Sequence, residues 1–316
     1  MTTTWITGAN GFIGRHLARE LARGGATVHG LGHGIWTGFE LERHGVSNWA
    51  NGDITASNLS TLKARSGLPE LIYHLAGGSS VGLSLLNPLE DFTRTVSSSA
   101  DLLDWIRLNC PSAKLIVISS AAVYGSRGEP TIAEDVDSTP YSPYGVHKRL
   151  MEQLCGSYAI NYGLQIAVAR LFSVYGPGLR KQLLWDLCCR LHRREDPMVL
   201  GGTGDELRDW TDVRDVVAVL RELHTLPSPA LPIVNIGTGI GTSVRQVAEQ
   251  LTACWDAAHA FRPSLQFSGA ARAGDPFRLV ADITRLSSLG HRLNTSLDQG
   301  LEDYVRWYGN NEFIKT

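Results

Sequence analysis

Short apolar runs bounded by turn residues alternate along the chain with longer stretches whose apolar positions repeat at helical spacing. The segment "TTWITGANGFIG" (3–14) predicts a strand, a turn and a helix; Ile13, Leu17 and Leu21 form one helical stripe, and Gly24–Gly25 supplies a stop. The runs "LIYHLAG", "KLIVISS" and "QIAVARL" are apolar throughout and bounded by breakers, as buried parallel strands are. Helical stretches are predicted over 88–109 and 143–161; in the second, Ser142 is the expected N-cap and Pro143 the first helical residue. Strand and helix alternating at this spacing predict an α/β fold, a right-handed, doubly wound parallel sheet of the Rossmann type. After Phe172 the pattern loosens, with Gly and Pro gathered in "YGPG", "LGGTGDE" and "LPSPALP". Residues 1–172 are therefore expected to form a dinucleotide-binding domain, joined by a returning segment near 213–236. Residues 173–316 are expected to form mainly a smaller substrate-binding lobe.

Composition changes this picture little. The chain of 316 residues is 43% hydrophobic with a formal net charge of −2, enough to bury a large core and without the charge blocks that nucleic acid or a membrane surface would call for. No apolar run reaches the ~20 residues of a membrane span. Five scattered cysteines (Cys110, Cys155, Cys188, Cys189 and Cys254) lack metal or redox spacing, and no targeting segment is read at the start, so a cytoplasmic enzyme without a metal is expected.

The candidate chemistry sits in "SPYGVHK". Tyr144 and Lys148 are four residues apart and share a helix face. The ammonium is expected to lower the phenol pKa, and a hydroxyl from Ser119 or Ser120 in "VISSAAVYG" could hold a substrate oxygen against it. At the other end, Gly8, Gly11 and Gly14 would let the backbone and a helix N-terminus approach a pyrophosphate, although their spacing departs from G-x-G-x-x-G by one residue. His74 and Tyr124 are expected to be structural, His147 and the remaining histidines lack ligand spacing, and Cys188–Cys189 is expected to pack.

In order, "TGANGFIG", "NGDI", "HLAG", "SSAAVYG", "SPYGVHK", "RLFSVYGPG", "RDWTDVRDV", "NIGTGIGTSV" and "RAGDPFRLVAD" resemble the extended short-chain dehydrogenase/reductases of the nucleotide-sugar epimerase/dehydratase branch. The resemblance implies a catalytic trio of Ser120, Tyr144 and Lys148. It implies cofactor contacts from Gly8, Gly11, Phe12, Ile13 and Gly14, from Asp53 and Ile54 at the adenine, and from Leu75, Ala76 and Gly77 beside the nicotinamide ribose, with Tyr144 and Lys148 also reaching the cofactor. Ser120 and Ser173 would touch the sugar, and Arg208 and Arg272 would clamp its diphosphate. It also implies a homodimer through a four-helix bundle of the 88–109 and 143–161 helices, which carry Leu102, Trp105, Ile106, Leu150 and Leu154.

Departures from the pattern shape the expected reaction. The acidic residue that bonds a ribose 2′-hydroxyl is replaced by Gly32, eighteen residues after Gly14, while His33 and Arg15 could attract a 2′-phosphate, so NADP(H) is expected over NAD(H). Ala121 and Ala122 replace the Asp-Glu pair of 4,6-dehydratases, and Ser173 and Thr95 stand where many relatives have Asn. The expected activity is hydride transfer at the 4-position of a nucleotide-diphosphate sugar. A 4-keto-hexose reductase is slightly favoured; the alternatives are a 4-epimerase with tightly bound NAD and, more remotely, a non-catalytic NADP sensor or a steroid or flavonoid ketone reductase.

Overall fold

The computed structural model of the protein describes residues 2–125, 130–270 and 276–310. The chain divides into two compact units. The first comprises residues up to Gly125, Glu134–Leu171 and Val217–Asn235. In chain order it contains β1 (Thr3–Thr7), α1 (Phe12–Arg23), β2 (Thr27–Gly32), α2 (Gly38–His44), β3 (Val46–Asn51), α3 (Ala56–Ser66), β4 (Leu71–His74), α4 (Val81–Leu86), α5 (Pro88–Phe92), α6 (Ser98–Asn109), β5 (Lys114–Ser120), α7 (Pro143–Tyr162) and β6 (Gln165–Leu171). The second holds β7 (Ser173–Tyr175), α8 (Gln182–His192), β8 (Met198–Leu200) and β9 (Leu207–Asp212). From there α9 (Val213–Glu222) and β10 (Ile233–Ile236) return the chain to the first sheet. The second unit resumes with β11 (Gly241–Ser243), α10 (Val244–His259), β12 (Leu265–Phe267), β13 (Arg278–Leu279), α11 (Thr284–Ser288) and α12 (Leu297–Gly309).

The first unit is the expected doubly wound Rossmann fold: a seven-stranded sheet ordered β10-β6-β5-β4-β1-β2-β3, with β1 parallel to both β2 and β4. Strand order reverses between β1 and β4, the switch point outside whose carboxyl ends such sheets bind ligands. The apolar runs are buried on both faces; Ile72, Val117 and Ile166 are wholly enclosed, and Trp5 lies 5.3 Å from Trp105 across the sheet-to-α6 layer.

The helix predicted over 88–109 is present with those bounds, but its α-ladder is interrupted. A turn of π-helix over Thr93–Ser97 separates α5 from α6. Hydroxyls on this stretch turn back onto the backbone: Thr93 Oγ1 donates to Leu89 O at 3.0 Å, and Ser98 and Ser99 Oγ donate to the Arg94 and Thr95 carbonyls at 2.5 Å. Thr95, fully buried, uses its own hydroxyl to accept from the Gly78 N–H at 2.8 Å, tying the bulge to the loop after β4. Apolar periodicity alone does not register this arrangement.

Candidate active site

The glycine turn after β1 is built for close approach. Gly8 has φ +73°, and a Cβ there would stand 2.8 Å from Ala76 N; a Cβ on Gly14 would stand 2.3 Å from Gly8 O. The loop is pinned by Gly8 N to Leu31 O, Leu75 N to Thr7 O and Ala76 N to Thr7 Oγ1. No side chain caps α1, whose first intrahelical bond runs from Arg15 N to Gly11 O at 3.0 Å, so the N–H groups of Phe12, Ile13 and Gly14 precede the ladder. Bare backbone donors at a helix N-terminus beside a glycine turn fit a dinucleotide pyrophosphate. Gly77 belongs to the same rim: a Cβ there would lie 3.3 Å from Lys148 Nζ.

The end of β2 differs from the expectation. Gly32 has φ +156°, and a Cβ there would press on the Trp49 ring at 3.3 Å and on Gly8 at 3.4 Å. A side chain is disfavoured here by the backbone, which is reason enough for a glycine whichever cofactor binds. His33 Nε2 lies 2.9 Å from Asp53 Oδ1, and Arg15 donates to the carbonyl and side-chain oxygen of Asn10. The two side chains invoked for a 2′-phosphate are thus engaged by a carboxylate and by Asn10. Ile54, next to Asp53, is buried.

Ser120 ends β5, and its hydroxyl accepts from Ala122 N at 3.2 Å, starting the tight turn Ala121–Tyr124. Ser142 caps α7 by accepting from Gly145 N at 3.2 Å, which sets Tyr144 in the first turn and Lys148 one turn on. The Tyr144 N–H is taken by Ser84 Oγ at 3.0 Å. Ser120 stands close enough to the Tyr144 phenol to favour its ionised form, and the Lys148 ammonium lies 6.0 Å from that ring's centroid, donating to Ile118 O at 2.9 Å. The three residues come together, but the electrostatics differ from the expectation. The Tyr144 phenol is pushed up, by burial first and by the Asp91 carboxylate, against the lowering influence of Ser120. Burial brings Lys148 down to about 8, opposed by Asp91 and Glu152. His74 is held by Thr7 Oγ1 at 2.6 Å and Ser99 Oγ at 2.9 Å, and burial drops it to about 3, so it is neutral and structural.

Behind Ser120 lies a polar network that sequence reasoning missed. Ser119 Oγ donates to Glu152 Oε1 at 2.6 Å, and Arg170 forks onto both Glu152 oxygens at 2.9 and 2.7 Å. Arg170 also donates to Tyr124 OH at 2.9 Å, which passes a bond to Asn235 Oδ1 at 2.6 Å. Glu152 falls one turn after Lys148 on α7, the only sequence signal that pointed to it.

The remaining candidates belong to the second unit. Ser173 on β7 pairs in register with Trp210 on β9, and Arg208, two residues before Trp210, shares its strand face. The Arg208 guanidinium donates to Leu207 O at 2.9 Å and Phe277 O at 3.4 Å. Between them Asp209, fully buried, gathers Thr238 N and Oγ1, Gly239 N and Ala281 N, which fixes the "NIGTG" loop to β9. Arg272 lies outside the described residues.

The chain was compared with known proteins. Residues 4–237 match the NAD dependent epimerase/dehydratase family. An uncharacterized UDP-glucose epimerase of Bacillus subtilis is 29% identical over 96% of both chains. Among solved structures, MoeE5 in complex with UDP-glucuronic acid and NAD superposes with a TM-score of 0.84 at 30% identity, covering 96% of this chain and 98% of its own. The UDP-glucuronic acid 4-epimerase of Bacillus cereus, with UDP-glucuronic acid and NAD, gives 0.85 at 25% identity, covering 97% and 99%. These findings overturn the expectation of NADP(H): the family is described as NAD-dependent and both complexes hold NAD. They also give no support to the reductase. With its Rossmann sheet, its glycine turn and a profile match over most of its length, the chain belongs to the NAD-dependent epimerase/dehydratase family.

Proposed function

We propose that the protein is a UDP-sugar 4-epimerase with tightly bound NAD. The observation that carries the reading is the Lys148 ammonium 6.0 Å from the Tyr144 ring, one helical turn on and beside Gly77, with Ser120 at the end of β5 near enough to favour the phenolate. Its direction is supported by relatives named as 4-epimerases. The pyrophosphate of the cofactor would rest on Gly8, Gly11, Phe12, Ile13 and Gly14, its adenosine near Asp53 and Ile54, and its nicotinamide ribose near Leu75, Ala76, Gly77 and Lys148. Bound NAD would supply the hydride acceptor and, after reduction, the donor.

The residues of the chain handle the proton and the geometry. Ser120 would hold the sugar 4-oxygen against Tyr144, whose phenolate would take the 4-hydroxyl proton and whose phenol would return it to the same oxygen in the opposite epimer. Lys148, protonated at neutral pH, would stabilise the phenolate. Ser173, Arg208 and Arg272 are proposed to hold the sugar and its diphosphate, a guanidinium matching phosphate oxygens in pairs. Exposed Leu86, Leu89 and Val146 on α4, α5 and α7 support a homodimer through these helices. Among the described residues no helix is long and apolar enough to cross a membrane, and five free thiols suit the reducing cytoplasm.

The test is incubation of the purified protein with UDP-glucose and with UDP-glucuronic acid, followed by product separation and a nicotinamide absorbance trace. Formation of the 4-epimer without net accumulation or consumption of NADH supports the reading. Stoichiometric consumption of a reduced cofactor with a 4-keto sugar, and no epimer, rejects it.

A further inference from the structure

One buried pair plays no part in the chemistry above. His147 stands immediately before Lys148, and its Nδ1 lies 2.6 Å from Asp91 Oδ2; their side chains are only 11% and 7% exposed. Phe92 packs edge-on against the imidazole at 5.5 Å. The carboxylate is pressed onto the loop after β4, so that a Cβ on Gly78 would stand 1.8 Å from Asp91 Oδ1. Gly77, the residue before, is the one that approaches Lys148 Nζ. Two consecutive loop residues therefore touch the carboxylate and the ammonium in turn.

We propose that the Asp91–His147 pair positions the acid–base site: the imidazole fixes the carboxylate where its field reaches Lys148 and Tyr144, and that field sets the pH range of turnover. The inference rests on the reading of Tyr144 and Lys148 as the proton-handling pair.

The surrounding charges single this pair out. From α7, Glu152 faces Lys148, but its charge is matched by the guanidinium of Arg170. From β4, His74 is neutral. On the outer side of α5, Glu90 forms an exposed ion pair with Arg94 at 2.6 Å. Among the described residues the side-chain partner of the Asp91 carboxylate is the His147 ring. Its carboxylate opposes the loss of the Lys148 proton and of the Tyr144 proton alike. A buried carboxylate without a donor is strongly disfavoured, so removing the ring disturbs the field as removing the charge does.

The experiment is an ultraviolet titration of the Tyr144 phenolate, read as wild type minus Tyr144→Phe and repeated in the Asp91→Asn background, beside pH profiles of kcat/KM with UDP-glucuronic acid and UDP-glucose. Asp91→Asn is expected to move the phenol midpoint and both limbs of the profile to lower pH by about one unit, a tenfold change in proton affinity. His147→Gln, whose amide can still donate, should titrate like wild type, whereas His147→Phe should not. A fall in kcat/KM with unmoved midpoints means a merely structural pair and overturns the proposal. If Asp91→Asn does not fold, the two His147 variants decide: identical titrations in both and in wild type overturn it. Near-normal turnover by Tyr144→Phe would instead remove the underlying site reading, whatever the titrations show.

Discussion

His33 Nε2 lies 2.9 Å from Asp53 Oδ1, linking the turn after β2 to the turn after β3. Both side chains are open to solvent. The imidazole expected to attract a 2′-phosphate thus sits beside a carboxylate that repels one, and the glycine before it is dictated by backbone conformation rather than by cofactor choice.

The first prediction follows from that pair. Fluorescence titration of cofactor-free protein should give tighter binding of NADH than of NADPH, by tenfold or more, since a 2′-phosphate adds roughly −1.5 to −2 charges near Asp53. Gly32→Asp should not sharpen the preference usefully, because a side chain at φ +156° is strained by about 1–3 kcal/mol. Urea midpoints should fall accordingly; an unchanged midpoint contradicts the strain argument.

Tyr144→Phe should retain bound NAD and lose roughly 10²–10⁴-fold in turnover, the range of a general acid–base group. Mass spectrometry of the denatured variant checks the cofactor, and product formation checks the rate.

Stability should depend on pH through His74. Its pKa is about 3 in the fold against 6.5 for an imidazole free in water. Above pH 6.5 the ring is neutral in both states and contributes nothing. As pH falls from 6.5 towards 3, the unfolded chain binds a proton the fold refuses, so stability is lost at about 1.4 kcal/mol per unit. Urea unfolding at pH 7 and pH 4.5 should show this loss in wild type and a smaller one in His74→Gln. Equal losses would show that other groups dominate.

The buried Arg170–Glu152 pair gives a fourth prediction. Glu152→Gln removes the charge that matches a guanidinium 2% exposed, and an uncompensated buried charge costs about 3–5 kcal/mol. The unfolding free energy from denaturant titration should drop by that amount. A change below ~1 kcal/mol would mean that Tyr124 and the Glu134 carbonyl suffice to hold the arginine.

Leu89 is 77% exposed and Val146 40%, an apolar surface on neighbouring helices. Light scattering at micromolar concentration should return twice the chain mass for wild type and the single mass for Leu89→Glu with Val146→Glu. A wild-type monomer would reject the dimer.

The sequence by itself determined the parts of this protein that rest on local chemistry. Continuous apolar runs specified buried parallel strands, glycines and an uncapped helix start specified the turn after β1, and Ser142–Pro143 specified where α7 begins and hence that Tyr144 and Lys148 share a face. Ordered motifs were enough for the family. Tertiary structure decided what depends on neighbours distant in the chain. It closed Glu152 on Arg170, and Asp91 on His147 across 56 residues, and it put a π turn at Thr95 into the predicted 88–109 helix. It also raised the Tyr144 phenol that the i,i+4 ammonium was expected to lower, because desolvation depends on everything packed around a group, whereas helical spacing gives only one neighbour. Gly32 was misread for a related reason: spacing located it correctly at the end of β2, but only the folded backbone, with φ +156°, shows why a side chain is disfavoured there.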